Sequence, residues 1–557
     1  MQAQMYVTLE QFASRVLEVT TRYSLFNHVS YDPGNFIGKC SRYPDYGDFA
    51  ETYSLRQYGN WWKLCEVNWQ RSYRQADDDP LGVEDFVTVR FDYAVIPTRL
   101  FIYETYNPGS IVRIWGRQMK QKWVLMWEGE PQECPPQARK FQPDIFKVNC
   151  LIDTIRLDLN CSKLDHHTCF DAILLIGLSG PGSGFHLKCL SALNMSKIVT
   201  TPNEDIEKRE HKHYFDDLPY EVIMHIFKFL DLKSLSKCAC VSSQWNHLAN
   251  DPHLYQNISF KSYWNIIDST IFDYLEKRSK FLKKLDLSWC GKDDESFPRK
   301  LHQFLQQSCK NLSHISLGNA SYFNGSHLAA LCSSCLQLEE LRLRNVFVSE
   351  IAFCHHQTLS KLNKLVTLDL YSTNISTDLL IPLLEVNPNL RYLNLDFCEE
   401  IVLDNVIEVI SRYNRQLIGL SCWKVRGLTS YGINLLGECH HLEDLDLGWC
   451  LNVFPQEQCL EKLASGCKGL KRLILSAWRG LVDTMLYPLI EHCIRLEQLD
   501  LLSITGISSQ FIETALNRLP NLKLLEISYC DSIPVEMVGQ WKLAYPNVII
   551  QKCVHSH

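Results

Sequence analysis

Few residues in this sequence have the types and spacing that chemistry requires. Cys332 and Cys335 in "CSSC" have the spacing of a redox or zinc-binding pair. His166 and His167 beside Asp165 are a weak candidate for a metal site. No second C-x-x-C motif occurs, and the first falls within a helical repeat pattern, which favours a structural role. The sequence also lacks a phosphate-binding loop, a nucleophile elbow and a zinc-protease helix. It therefore predicts a non-catalytic protein with no metal site and no cofactor.

Length and composition narrow the class of protein further. A chain of 557 residues with 46% hydrophobic and 21% charged residues is globular and has several domains, and its net charge of −7 gives no reason to expect nucleic acid. The longest apolar run, 172–178, is about a third of the roughly twenty residues that a bilayer span needs, so no integral membrane segment is expected. An odd number of cysteines, 23, and no secretory signal indicate a reducing, cytosol-facing compartment.

Leucines repeat through the second half of the chain. The pattern L-x-x-L-x-L recurs every 25 to 30 residues, and each occurrence runs on into a helical pattern. This period is that of leucine-rich repeats, so we expect about ten of them, of a cysteine-containing type, in a horseshoe solenoid over residues 259–557. The repeats begin at Leu282, Leu312, Leu338, Leu365, Leu390, Leu417, Leu442, Leu470, Leu496 and Leu522.

The concave face of this solenoid is the predicted substrate surface. Residues between the strand leucines point out of that face, which is long enough to hold a protein segment and too open for small-molecule catalysis. Aromatic and arginine side chains are common anchors of protein interfaces. The candidates for substrate binding are Arg342, Arg344, Tyr371, Tyr392, Trp423, Asp446 and Arg472.

The first part of the chain has a different pattern. Leu9, Phe12, Ala13, Val16 and Leu17 share one face of a predicted N-terminal amphipathic helix within residues 1–35. Short stretches such as "FVTVRFDY" and "TIRLDL" alternate with period two and predict an antiparallel β-sandwich over 36–180. "RLFIYETYNPGSIVRIW" and "FDAILLIG" resemble the galactose-binding-like jelly rolls of the discoidin and anaphase-complex Doc type. Residues 181–213, rich in glycine, serine and charge, are a predicted linker.

Residues 214–258 are too apolar for so short a helical unit. Between Val222 and Leu230 only His225 and Lys228 are polar, so a helix there has no polar face. One side can rest on the next helix, and the other needs a partner protein. "LPYEVIMHIFKFL" and the following "SLSKCACVSSQWNHLA" resemble the F-box. The positions that this resemblance assigns to adaptor binding are Leu218, Pro219, Glu221, Val222, Ile226, Phe227, Leu230, Leu235, Val241 and Trp245.

An F-box followed by cysteine-type repeats resembles the F-box/LRR family, specifically its mitochondria-associated, jelly-roll-containing kind. The resemblance implies that the chain docks a Skp adaptor, joins a cullin and RING subunit indirectly as the substrate receptor of an SCF-type ubiquitin ligase, and has a role in mitophagy. It also implies association with the mitochondrial outer membrane, although the expected leading presequence is absent from the sequence; cytoplasm and nucleus are the alternative. Two other functions stay open: a non-ligase repeat scaffold or inhibitor that acts with its concave face, and a lectin-like receptor that acts with its jelly roll.

Overall fold

The computed structural model describes residues 7–21, 31–56, 79–118, 121–179, 218–347, 359–450, 453 and 457–553. The predicted linker, 181–213, lies outside the described residues. No helix in these ranges combines the length and the apolar character that a membrane span requires.

The N-terminal domain is an antiparallel β-sandwich of two sheets. The long strand β4 belongs to both sheets, because it pairs with β7 and β9 in one and with β2 and β8 in the other. The inward side chains of the alternating segments form its core, for example Val87, Ile102, Ile114 and Leu157. The strands are β1 (Val7–Phe12), β2 (Arg15–Val19), β3 (Tyr53–Ser54), β4 (Asp85–Tyr106), β5 (Ile111–Arg117), β6 (Val124–Glu128), β7 (Arg139–Phe141), β8 (Ile152–Leu159) and β9 (Cys169–Ser179).

The prediction of an N-terminal helix is wrong, because this segment forms the strands β1 and β2. Residues 7–12 pair with β9, where Leu9 lies opposite Gly177, and residues 15–19 pair with β4, where Val16 lies opposite Val89. The apolar spacing fits a helix, but β9 and β4 each offer a strand edge whose backbone groups need partners, and pairing satisfies them. Leu9 and Val16 still pack on the sandwich core, whereas Leu17 is exposed.

Three short helices follow: α1 (Tyr220–Phe227), α2 (Leu232–Cys238) and α3 (Ser243–Ala249). The carboxylate of Asp231 accepts a hydrogen bond from the backbone N–H of Ser234 and begins α2, and the hydroxyl of Ser242 does the same for Trp245 in α3. The inner side of α1 enters the same apolar core as the repeats. These helices therefore close the first end of the solenoid.

The rest of the chain is a solenoid with one continuous sheet of parallel strands. Ten strands coincide with the ten leucine motifs, and one more is added at each end. The strands are β10 (Asn257–Ser259), β11 (Lys284–Asp286), β12 (His314–Ser316), β13 (Glu340–Arg342), β14 (Thr367–Asp369), β15 (Tyr392–Asn394), β16 (Gly419–Ser421), β17 (Asp444–Asp446), β18 (Arg472–Ile474), β19 (Gln498–Asp500), β20 (Leu524–Glu526) and β21 (Ile549–Gln551).

Helices line the convex side of the repeats. Cys332 and Cys335 of "CSSC" are both buried, at the end of one of these helices, where they help to fill the repeat core. The helices described are α4 (Thr270–Glu276), α5 (Phe297–Ser308), α6 (Gly325–Ser334), α7 (Thr377–Glu385), α8 (Leu403–Tyr413), α9 (Ser430–Leu436), α10 (Glu457–Gly466), α11 (Asp483–His492), α12 (Ser509–Arg518) and α13 (Val535–Ala544).

Candidate functional site

Helix α1 has one apolar side inside the protein and one outside. Ile223, Met224 and Phe227 are buried against the repeats. Val222 and Ile226, one helical turn apart on the opposite side, remain 41% and 37% exposed. Single exposed apolar residues are ordinary, but an apolar row on a short helix is a typical contact for a partner protein. The exposed apolar residues of this region are Pro219, Tyr220, Val222, Ile226, Phe229 and Val241, which we call the F-box surface.

The predicted adaptor-binding residues divide between this surface and its support. Pro219, Glu221, Val222, Ile226 and Val241 are exposed, as a contact with another protein requires. Leu218, Leu230 and Trp245 are half-buried and pack on the core. Phe227 and Leu235 are buried in the core itself, so in this structure they support the F-box surface from below and do not form it.

Two exposed residues of the F-box surface, Phe229 and Tyr220, were not among the adaptor-binding residues predicted from the sequence. Phe229 is 64% exposed and lies beside His225, with ring centroids 5.1 Å apart. Tyr220 is half exposed, and its hydroxyl donates to Asp251 at 2.5 Å, which ties the start of α1 to the end of the F-box. The signal for Phe229 was present, since it follows Ile226 by three residues and so continues the same face.

The concave face of the solenoid is occupied by the chain's own β-sandwich. Arg56 reaches from the sandwich into the centre of that face, where its guanidinium lies 3.7 Å from the centre of the Trp423 ring. Its Nη1 donates to Asp396 at 2.9 Å, and its Nη2 pairs with Asp446. Tyr31, Phe397 and Trp423 belong to one buried apolar cluster that both domains build.

Contacts of this kind run from near the first repeats to the last. Glu18 pairs with Lys292 after β11, and the side chain of Asn345 donates to the backbone carbonyl of Thr20 at 2.9 Å. At the far end, the hydroxyls of Tyr31 and Tyr529 are 2.6 Å apart. The sandwich therefore spans nearly the whole length of the parallel sheet.

This arrangement corrects the predicted substrate surface. Tyr371, Trp423, Asp446 and Arg472 are buried and form an internal interface, not an open face. The physical reason is that their exposed apolar and charged atoms find partners in the chain's own first domain. In the described residues, the sandwich thus covers the centre of the concave face, on which an inhibitor of the kind named among the alternatives would act.

The other three candidates are only half-buried. The Arg344 guanidinium lies 4.6 Å from the centre of the Tyr371 ring and 3.6 Å from Asp369, and Arg342 donates to Glu340 at 2.6 Å. Tyr392 is also half-buried. The guanidinium group of Arg342 is thus already engaged with a carboxylate of its own strand, β13, and that of Arg344 with a carboxylate of the neighbouring strand β14.

Buried carboxylates give the interface unusual electrostatics. Burial raises the pKa of Asp444 to about 6, although Arg472 donates to its Oδ1 at 2.9 Å. Burial also raises the pKa of Asp446, against the opposing effect of Arg56 and Arg472. Desolvation of a carboxylate is expensive, so each of these groups depends on the guanidinium beside it.

An F-box-like region ahead of leucine-rich repeats is the arrangement of the F-box/LRR class of protein, and comparison with known proteins agrees with this resemblance. Residues 215–261 match the F-box-like family. A particular relative is similar along almost the entire length: "F-box/LRR-repeat protein 4" of Bos taurus is 29% identical over 573 aligned positions, which cover 97% of this chain and 91% of the relative. The resemblance to the F-box/LRR family and to this member is therefore confirmed.

Among solved structures, the "Crystal structure of Rad7 and Elc1 complex in yeast" aligns with 59% of this chain and 95% of that one. The identity is 17% and the TM-score 0.38.

Proposed function

We propose that this protein is the substrate-receptor subunit of an SCF-type cullin-RING ubiquitin ligase. The observation that supports this function best is the F-box surface. Val222 and Ile226 stay exposed on α1, whose other side is packed, and Phe229 and Val241 stay exposed in the turns that follow α1 and α2. A Skp-type adaptor that covers these side chains would remove their apolar area from water. The match of residues 215–261 to the F-box-like family agrees with such an adaptor.

The mechanism is proximity. The receptor holds a protein substrate near a ubiquitin-charged conjugating enzyme and so raises the effective concentration of a substrate lysine, while other subunits make and break the covalent bonds. Because the sandwich covers the centre of the concave face, the substrate contacts the outer surfaces of the sandwich, of the solenoid, or of both. This chain contributes to the reaction by positioning the substrate relative to the conjugating enzyme.

Two paired variants test the adaptor contact. Val222 and Ile226 lie in the first and last turns of α1, and Val535 and Leu543 lie in the first and last turns of α13, 54% and 86% exposed. Val222→Asp with Ile226→Asp places two carboxylates in the proposed apolar interface, whereas Val535→Asp with Leu543→Asp makes the same chemical change at a distant helix. An uncompensated carboxylate in an apolar contact costs several kcal/mol, so we expect at least a roughly hundredfold weaker affinity for the adaptor in the first pair only.

The measurement is co-expression with a Skp adaptor and cullin, followed by titration of the purified chains, with circular dichroism as the folding control. Loss of binding in the α1 pair and normal binding in the α13 pair support the function. If the folded wild type binds no adaptor, or both pairs bind equally well, the ligase function is refuted and the three helices serve only to close the solenoid.

For the location of the protein, we propose association with the mitochondrial outer membrane, where the substrate would reside. This proposal is supported by the resemblance alone. Fractionation of cells that express the tagged full-length chain, with protease treatment of intact mitochondria, tests it: recovery of protease-sensitive protein with mitochondria supports it, and recovery in cytosol or nucleus contradicts it.

A further inference from the structure

A cluster of metal-binding residue types lies buried where the sandwich meets the last repeats. Among the described residues, the ligand atoms of Asp48, His167 and Cys169 all lie within 4.8 Å of one another, and the three side chains are buried. His167 Nε2 is 3.1 Å from Asp48 Oδ1, and Cys169 Sγ is 3.4 Å from the same oxygen. Ligands at about 2.0 to 2.3 Å from a tetrahedral metal stand roughly 3.3 to 3.8 Å apart, so this spacing is close to what a metal ion needs.

The last strand of the solenoid lies beside this cluster. The thiol of Cys553, just after β21, interacts electrostatically with Asp48 but is not one of the three residues whose ligand atoms all lie within 4.8 Å of one another. One carboxylate, one imidazole and one thiol together make a donor set that suits zinc, which also binds to three protein ligands and a water molecule.

Neighbouring side chains surround the imidazole of His167. Its Nδ1 atom lies within hydrogen-bond distance of the Nδ1 atom of His166, and the Nε2 atom of His166 is 2.9 Å from Glu526. The Nε2 atom of His167 faces Asp48 and is therefore the nitrogen that is placed to bind a metal ion.

We propose that Asp48, His167 and Cys169 bind one Zn²⁺ ion where the sandwich meets the end of the solenoid. With zinc on the Nε2 atom of His167, its Nδ1 atom faces the neighbouring imidazole of His166. A histidine ligand that is held through its second nitrogen is the usual support of a zinc site.

The chemistry of binding needs no reactant other than water. Zn²⁺ forms coordinate bonds to the three side chains and to one water molecule, and the thiol proton of Cys169 is released to water as this residue becomes a thiolate. Asp165, which the sequence places beside the two histidines, is exposed and takes no part in the site.

The test is the metal content of the full-length chain, co-expressed with a Skp adaptor in zinc-supplemented medium and purified without a histidine tag. We expect about one zinc per chain by inductively coupled plasma mass spectrometry, and less than about a fifth of that in Cys169→Ser. The matched control is Cys530→Ser, because Cys530 is also buried near the end of the solenoid but its thiol donates to the carbonyl of Leu501 at 3.2 Å.

Cobalt gives a second readout that does not depend on a variant. Wild-type chain stripped with a chelator and loaded with Co²⁺ should show a sulfur-to-cobalt charge-transfer band and the visible bands of a tetrahedral ion. A zinc-free wild type with no cobalt band overturns the proposal. Equal zinc content in folded Cys169→Ser and Cys530→Ser also overturns it. If Cys169→Ser does not fold, the wild-type zinc content and cobalt spectrum decide.

Discussion

Arg56 should be the main electrostatic anchor between the two large domains. Its side chain is only 9% exposed, and it faces the buried carboxylates of Asp396 and Asp446 and the ring of Trp423. The change Arg56→Ala leaves both carboxylates in a site from which water is excluded. Because a charge that is buried without its partner is costly, this substitution should act far beyond the loss of one surface contact.

The magnitude follows from those contacts. Removal of one member of a buried pair costs about 3 to 5 kcal/mol, and a desolvated cation over a tryptophan ring adds about 2 kcal/mol. Asp446 keeps a second guanidinium, that of Arg472, at 3.3 Å, which offsets part of the loss. We therefore expect docking of the sandwich to weaken by at least about 3 kcal/mol, which is roughly a 150-fold change in the equilibrium between docked and undocked domains.

Hydrogen exchange at the concave strands β15 to β17 measures this equilibrium directly. Arg56→Ala should speed exchange there by roughly that factor, and Arg56→Lys should fall between it and wild type, because lysine keeps the charge without the two-pronged geometry. Arg42→Ala is the control: Arg42 pairs with Glu51 at 2.5 Å, but their side chains are 28% and 43% exposed, so less than about 1 kcal/mol is expected. Equal effects of the two alanine variants, or unchanged exchange in Arg56→Ala, would refute the reasoning.

Three further outcomes are expected. Asn387→Ala should lower the free energy of unfolding by about 2 to 4 kcal/mol in urea titrations, because this buried amide makes three hydrogen bonds, one of them to the N–H of Leu365, whereas exposed Asn521→Ala should change it by less than about 0.5 kcal/mol. The pKa of Asp444 is raised to about 6, so the folded state takes up this proton more readily than the unfolded chain does; the stabilisation is complete below about pH 4 and is lost as the pH rises through 6. Between pH 5 and 7.5, the free energy of unfolding of wild type should thus fall by on the order of 2 kcal/mol more than that of Asp444→Asn. Parallel pH profiles of the two proteins would contradict this. The cysteines in the described part of the chain form no disulfide with one another, so a reducing agent should leave the melting temperature unchanged, and a fall would indicate a disulfide.

Local periodicity made much of the fold predictable. The leucine spacing located ten strands of the solenoid, since each repeat buries the same positions against its neighbours. The F-box helix was recognised from its missing polar face. The strand alternation of the sandwich was equally clear. In each case, neighbouring residues carry the information.

Contacts between distant parts of the chain were not predictable in this way. An exposed Trp423 was a fair expectation for an isolated solenoid, but Arg56, more than 300 residues away, lies over its ring. The proposed zinc site likewise unites Asp48 with Cys169, which is 121 residues further along the chain. The N-terminal strands were misassigned for a related reason, because the apolar spacing of that segment does not reveal which sheet edge will pair with it.

The span of the sandwich along the solenoid has a consequence for folding. Repeat arrays ordinarily fold through contacts between neighbouring repeats, and stability adds up unit by unit. Here the hydrogen bond between Tyr31 and Tyr529 closes a loop of 498 residues. During synthesis, the first domain therefore leaves the ribosome long before the final repeat, its last docking partner, has been made. The surfaces of both that are buried in the finished protein stay exposed to water until synthesis ends. Loss of the final repeat should thus unsettle the beginning of the chain as much as its end, and newly made protein should depend on chaperones during that interval.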